Sequence, residues 1–288
     1  MITYFYMLVE VLQPRGYCAG VNNAIKIALT AKEEHPDKEV YVLGMLVHND
    51  FVVSSLEKKG IHTAANINEI PNGEVIIFTA HGHDQKLDNI AEEKQLIIYD
   101  AICPKVRSNH LLILKELKDN HQVIFIGLSG HPETIGAISV DTNVLLYDVK
   151  QGFDYSLLKD ESPLVINQTT LNILELKNIH QEILAHVPRA RITDEICSST
   201  RRRQEVIKEI QDDVDLIIVV GDQKSSNSNR LLEVARLSHP AILSLMISDA
   251  AQLDESLLKN KKHIVISSGA STPDEIIDAI VNKIKSLN

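Results

Sequence analysis

Residues 9–29 read VEVLQPRGYCAGVNNAIKIAL: an extended apolar run, a cysteine set between glycines, and a stretch with Ala and Ile at helical spacing. The plan recurs at residues 96–117, LIIYDAICPKVRSNHLLILKEL, and at residues 190–210, ARITDEICSSTRRRQEVIKEI. After each cysteine a second run ends in glycine: YVLG at Gly44, VIFIG at Gly127 and LIIVVG at Gly221. Four residues beyond these glycines stand His48, His131 and Ser225, each at an expected helix start. A third run in each copy ends on another polar side chain, namely IIFTAHG with His81, LVINQTT with Thr169 and IVISSGAST with Ser271. A period of about 90 residues built in this way signals an internal repeat. Short β-branched runs alternating with amphipathic stretches indicate an α/β protein with mostly parallel sheets. Three similar units are expected, at 17–100, 101–195 and 196–288, with the N-terminal strand in 1–16 packing on the third.

The pattern predicts strands at 8–12, 40–43, 75–79, 97–99, 123–126, 144–147, 164–166, 216–220, 242–246 and 264–267. It predicts helices at 21–34, 50–59, 104–118, 171–186, 200–213, 228–237 and 273–286. In open parallel sheets, ligands gather outside the carboxyl ends of strands. The nine anchor residues (three cysteines, three glycine-plus-four positions and three third-strand ends) all fall there. If three such units face one axis, they line one cavity.

The 288-residue chain carries a net charge of −10, which disfavours a general nucleic-acid surface but leaves room for a small anion in a local pocket. Its three cysteines lack any CxxC pair, which fits reduced thiols in a cytoplasmic protein better than a disulfide framework. The segment MITYFYMLVEVL contains Glu10, has no basic leader and is too short to span a bilayer, so residues 1–12 read as a buried strand, with Met7 an alternative start. No membrane association is expected.

Isolated, Cys103 and Cys197 would read as small buried hydrophobes. Placed at one point of each repeat, Cys18, Cys103 and Cys197 make a metal site worth weighing. Zinc would ask for a fourth ligand, whereas a cubane iron–sulfur cluster held by three thiolates keeps one iron open to substrate. His48, His81 and His131 offer N–H donors to an anion. Ser225, Ser226 and Asn227 open a helix, where amides and the macrodipole favour phosphate, and Ser271 precedes Pro273 at another helix start. Glu133 stands two residues after His131. A carboxylate beside an anion is repelled by it, so Glu133 reads as a proton carrier, or else as an ordinary first-turn acid.

The segments PRGYCAGV, VHNDFVVSSLEKKG, TAHG, DAICPKV, IGLSGHPETIG, NQTTL, EIC with Arg203-Gln204, SSNSNRL and GASTP run in order from residue 14 to 273. In these the chain resembles the 4-hydroxy-3-methylbut-2-enyl diphosphate reductase family of the non-mevalonate isoprenoid pathway. The resemblance implies a pseudo-threefold trefoil around a central cavity with a 4Fe–4S cluster on Cys18, Cys103 and Cys197. It implies diphosphate binding by His48, His81, His131, Ser225, Ser226, Asn227 and Ser271. Glu133 would deliver protons, and Thr169 would order the substrate alcohol and that carboxyl. The implied reaction is a reductive dehydroxylation to isopentenyl and dimethylallyl diphosphate, with electrons from a ferredoxin or flavodoxin. The chain departs from the family pattern at His83, Asp84, Leu128, Arg201 and the Asp222-Gln223-Lys224 run. Those positions concern the cavity rim, partner docking and rate. Two rival readings are a zinc protein that binds a phosphorylated metabolite and a paralogue that keeps the cluster as a sensor.

Overall fold

The strongest sequence signals are runs with no polar residue in alternation, such as VIIF, VIFIG and LIIVV, and each is buried along its whole length. Strands of that kind need cover on both faces, which parallel sheets flanked by helices supply. The computed structural model describes residues 7–287. Its elements follow in chain order as β1 (Leu8–Val11), α1 (Ala19–Glu34), β2 (Val40–Leu43), α2 (Asp50–Glu57), β3 (Ile61–Ala64), β4 (Val75–Phe78), α3 (Lys86–Glu93) and β5 (Ile97–Asp100). Then come α4 (Pro104–Lys118), β6 (Val123–Gly127), α5 (Pro132–Ile138), β7 (Val144–Asp148), β8 (Leu164–Asn167), α6 (Ile173–His186) and β9 (Arg191–Ile192). The remainder is α7 (Ser198–Lys208), β10 (Leu216–Val220), α8 (Ser226–Ser238), β11 (Leu243–Ile247), β12 (His263–Ser268) and α9 (Asp274–Ser286).

Among the described residues the strands form three four-stranded sheets, and every strand pair in them is parallel. Read from the same edge, their orders are β3-β2-β4-β5, β7-β6-β8-β9 and β11-β10-β12-β1. The topology is one plan used three times. In each sheet the strand that leads into a cysteine (β5, β9 or β1) lies beside the third strand of the set.

One compact unit holds the last sheet; it includes Cys18, residues 172–174 and the chain from Ser198 onward. Its two sheet faces are sorted by residue parity, as the two-residue strand period requires. Leu216, Ile218 and Val220 pack with Ile277, Ile280 and Ile284 of α9. Ile217 and Val219 pack with Ile207 of α7 and Leu231 and Val234 of α8. Each such side chain contributes roughly 1.5–3 kcal/mol of burial. The other unit contains the sheets built on β2 and β6. Ile76 and Phe78 pack there with Ala91 and Leu96, and Val123 and Phe125 with Ile113 and Ala137.

Several expectations change. β1 is not a buried strand: it is an edge, alternately exposed, with Leu8 56% accessible, because only β12 pairs with it. Residues 1–6 of the expected N-terminal strand lie outside the described residues. Strand β3 and helix α3 were not expected; β9 falls in the extended run expected before Cys197, and α5 follows the helix start expected at His131. IHTA is buried only at its two ends, and β9 is two residues long. α3 buries one residue, and α5 has seven residues behind a histidine cap and a proline. None of these is long or periodic enough to stand out. The helix expected at 200–213 runs from 198 to 208.

Candidate functional site

Each sheet has a switch point. From β2 the chain goes to β3 on one side and returns through β4 on the other, so the carboxyl ends of β2 and β4 lie side by side. The same holds for β6 with β8 and for β10 with β12. A crevice at such a point is the usual ligand site of open parallel sheets. Here each one is bridged by polar side chains.

At β6/β8 the pair is Glu133 and Thr169. Glu133 lies in the first turn of α5 and is 2% exposed. The Thr169 amide donates to Glu133 Oε1 at 2.8 Å, and the Thr169 hydroxyl donates to Oε2 at 2.9 Å. Burial pushes the carboxyl up to about 7; the two Thr169 hydrogen bonds and the Lys105 charge pull the other way and lose to desolvation. The group therefore holds or gives up a proton near neutral pH.

At β2/β4 the pair is His48 and His81, whose rings stack at 4.3 Å and 15°. His131 closes the cluster, edge-on to both at 5.6 Å. Burial first, then the other two rings, hold His81 well below the ordinary imidazole value, so it is neutral at pH 7. Its Nε2 is buried with no hydrogen-bond partner among the described residues, a costly arrangement unless a ligand completes it. Three imidazoles with nitrogens within 4.8 Å of one another resemble a metal site. The cap of α5 argues otherwise. The Glu133 amide donates to His131 Nδ1 at 3.2 Å, so the ring's proton sits on Nε2. That nitrogen is a donor, which suits an acceptor, and a metal would have to break the cap. The cluster suits an anion.

At β10/β12 the bridge is Asn227. Its Oδ1 accepts from the Ala270 amide at 3.0 Å, and its Nδ2 donates to Thr200 Oγ1 at 3.0 Å. Ser225 caps α8, its hydroxyl accepting from the Ser228 amide at 3.2 Å. Ser226 opens that helix, where the positive end of the helix dipole favours an anion. Ser271 is buried just beyond the end of β12. Close approach needs glycine here: a Cβ on Gly221 or Gly269 would overlap Ser228, as one on Gly127 would overlap Thr134.

The three cysteines occupy one position of the plan. The amide of Cys18 donates to Ala270 O, that of Cys103 to Ala80 O and that of Cys197 to Thr169 O, each at 3.0 Å. All three acceptors lie two residues past the end of a third strand. This register sharpens the repeat: Thr169 is level with Ala80 and Ala270, and the residue level with His81 and Ser271 is Thr170. The helix starts differ too, since His131 and Ser225 are caps whereas Asn49, not His48, caps α2. None of the three cysteines is in a disulfide, and all are half-buried, each directly before a helix. A set of reduced thiols is a donor set for soft metals and iron–sulfur groups, not for calcium or magnesium.

The departures from the family pattern have local jobs. His83 stacks on Phe78 at 3.6 Å and pairs with Asp88 at 2.9 Å, and Asp84 accepts from the Lys86 amide at 3.0 Å, so both build the start of α3. Leu128 donates its amide to Gln168 Oε1 at 3.0 Å. Asp222 accepts from the Lys224 amide at 2.8 Å and shapes the turn into Ser225. Nothing in the structure explains Arg201.

Sequence reasoning gave no role to Arg203, Gln168 or Thr200. Arg203 is 1% exposed, and its guanidinium donates to Ser268 O, Ser199 and Gly16 O, tying the turn before Cys18 to the end of β12. In the run Arg201-Arg202-Arg203 nothing local separates it from Arg202, whose side chain is 58% exposed.

A family profile described as LytB protein matches residues 9–285. A 4-hydroxy-3-methylbut-2-enyl diphosphate reductase from Macrococcus caseolyticus is 37% identical over 95% of this chain and 88% of its own length. One of the same name from Nitrosomonas europaea is 37% identical over 95% of this chain and 86% of its own. The solved E-1-hydroxy-2-methyl-but-2-enyl-4-diphosphate reductase of Plasmodium falciparum superposes with a TM-score of 0.88 at 30% identity, covering 96% of this chain and 87% of that one.

Proposed function

We propose, since this chain belongs to the LytB family of 4-hydroxy-3-methylbut-2-enyl diphosphate reductases, that its strand-end residues divide into anion holders and one proton carrier. The family's chemistry is that of this chain: it is an oxidoreductase that removes the allylic hydroxyl of 4-hydroxy-3-methylbut-2-enyl diphosphate. Two electrons and two protons enter, the allylic C–O bond breaks, water leaves, and isopentenyl or dimethylallyl diphosphate results.

In this reading His48, His81 and His131 give N–H donors to the diphosphate, with Ser225, Ser226, Asn227 and Ser271 as further donors. Asn227 keeps one amide hydrogen for the ligand, because its oxygen and one N–H are engaged with Ala270 and Thr200. Thr169 fixes the Glu133 carboxyl through its amide and hydroxyl. The lone pairs left on that hydroxyl suit the substrate alcohol. Cys18, Cys103 and Cys197 would hold a 4Fe–4S cluster, which when bound supplies single electrons and one iron open as a Lewis acid. A ferredoxin or flavodoxin in the cytoplasm would supply the electrons. No helix of the described residues is long and apolar enough to cross a membrane. The division at 17–100, 101–195 and 196–288 belongs to the same proposal, supported by the common order of the three sheets.

The observation that carries this reading is the buried Glu133 carboxyl, poised near 7 and clamped by Thr169. Its test is Glu133→Gln, which keeps shape but is a very poor acid. Iron content and diphosphate affinity should match the parent while turnover falls about 10²-fold or more. Turnover within threefold of the parent would remove Glu133 from the chemistry.

A further inference from the structure

Lys105 follows Cys103 by two residues and sits in the first turn of α4, where a cation opposes the helix dipole and gains from an acidic partner. That partner is Glu195, two residues before Cys197. The two side chains form an ion pair, with exposures of 34% and 17%. The pair belongs to a closed ring. The Glu195 amide donates to Asn167 Oδ1 at 3.1 Å, and Asn167 O accepts from Asn109 Nδ2 at 3.3 Å. Asn109 lies four residues beyond Lys105 on the same face of α4, so the ring begins and ends on the helix that Cys103 precedes. Asn109 and Asn167 are both fully buried.

The cysteine amides do not make this connection. Cys103 is tied to the end of β4 through Ala80, and Cys197 to the end of β8 through Thr169, which are strands of different sheets. The ring joins the two cysteine segments to each other at the Cys103 end of α4, as the Arg191–Glu116 ion pair does farther along that helix. We infer that the Lys105–Glu195 ion pair is a positioning clasp that holds the Cys103 and Cys197 segments in register for metal uptake and retention. The inference rests on the reading of these cysteines as ligands. Half-burial makes the clasp mutual, because losing one partner leaves the other charge poorly solvated. Lys105 also favours the ionised form of Glu133, so turnover would mix two effects and is a poor readout.

The experiment is iron loss to a ferrous chelator from anaerobically prepared holoenzyme, for the parent, Lys105→Met, Glu195→Gln and the exchange Lys105→Glu with Glu195→Lys. The single variants should lose iron about fivefold faster or more, and the exchange should return the rate to within about twofold of the parent, as a pairwise interaction requires. Single variants that hold iron at the parent rate, or an exchange no better than the singles, would overturn the clasp. Cys103→Ser separates this failure from that of the ligand reading. If Cys103→Ser keeps full iron, the ligand reading falls and the clasp with it. If it loses iron while both single clasp variants keep theirs, only the clasp falls.

Discussion

The β2/β4 and β6/β8 ends share one topology, and each carries a pair of polar groups at its switch point. At β2/β4 the pair is two stacked imidazoles, with one buried nitrogen of His81 left for something outside the protein. At β6/β8 the pair is Glu133 and Thr169, which satisfy each other through two hydrogen bonds. The first arrangement leaves a buried nitrogen without a partner, which is why we propose it as the anion holder. The second is internally complete and holds a proton whose affinity burial has raised. In the proposed reading the plan supplies the crevice, and the side chains placed there decide whether it grips an anion or carries a proton. His131 couples the two, since it faces the imidazole pair and accepts the Glu133 amide.

The largest expected effect at the proton-holding end is on stability. Glu133 rises from 4.5 in the unfolded chain to about 7 in the fold. A raised acid favours the fold fully below pH 4.5 and loses that contribution as pH climbs through 7. Above pH 7 the buried carboxylate should cost about 3 kcal/mol, so Glu133→Gln should melt higher than the parent at pH 8, with the difference closing toward pH 4. Equal melting curves at both pH values would mean that the carboxyl is hydrated.

At the anion-holding end, His81→Ala should weaken inorganic diphosphate binding by roughly 1.5–3 kcal/mol, the scale of a hydrogen bond to a charged group. Calorimetry checks this, and the loss should not depend on Glu133. Undiminished affinity would place the anion elsewhere. Thr169→Val sharpens the contrast, because it removes one donor that favours the ionised carboxyl. The alkaline limb of the pH–turnover profile should move upward while diphosphate affinity stays put, and a limb that stays where it is would leave the clamp without electrostatic effect. The smallest effect is at the α8 start, where Ser225→Ala should cost about 1 kcal/mol of stability through loss of the cap. A melting curve indistinguishable from the parent would show the cap to be replaced by water.

Much of this was legible in the sequence because the central strands are fully buried and read as unbroken apolar runs. Glycine then marks where β2, β6 and β10 stop, and the residue four places on begins or borders the helix that follows. What stayed hidden had no local signature. Arg203 looks like its exposed neighbour Arg202 until β12 and Gly16 supply its acceptors. The Lys105–Glu195 pair joins residues far apart in sequence. The offset between Thr169 and Thr170 appears only when cysteine amides are matched to strand ends, because the third-strand loops differ in length. Helix α3 escaped, and α5 was legible only as a helix start at His131, because both are short and bury few apolar residues.

The central claim is that one switch point holds an ionisable proton near neutral pH while its neighbour holds an anion. Infrared difference titration of the carboxyl C=O stretch, parent minus Glu133→Gln, tests it without turnover. The account predicts a protonated carboxyl that titrates with a midpoint near the value of about 7. A midpoint at the ordinary 4.5, or no protonated band assignable to Glu133 above pH 5, would contradict it.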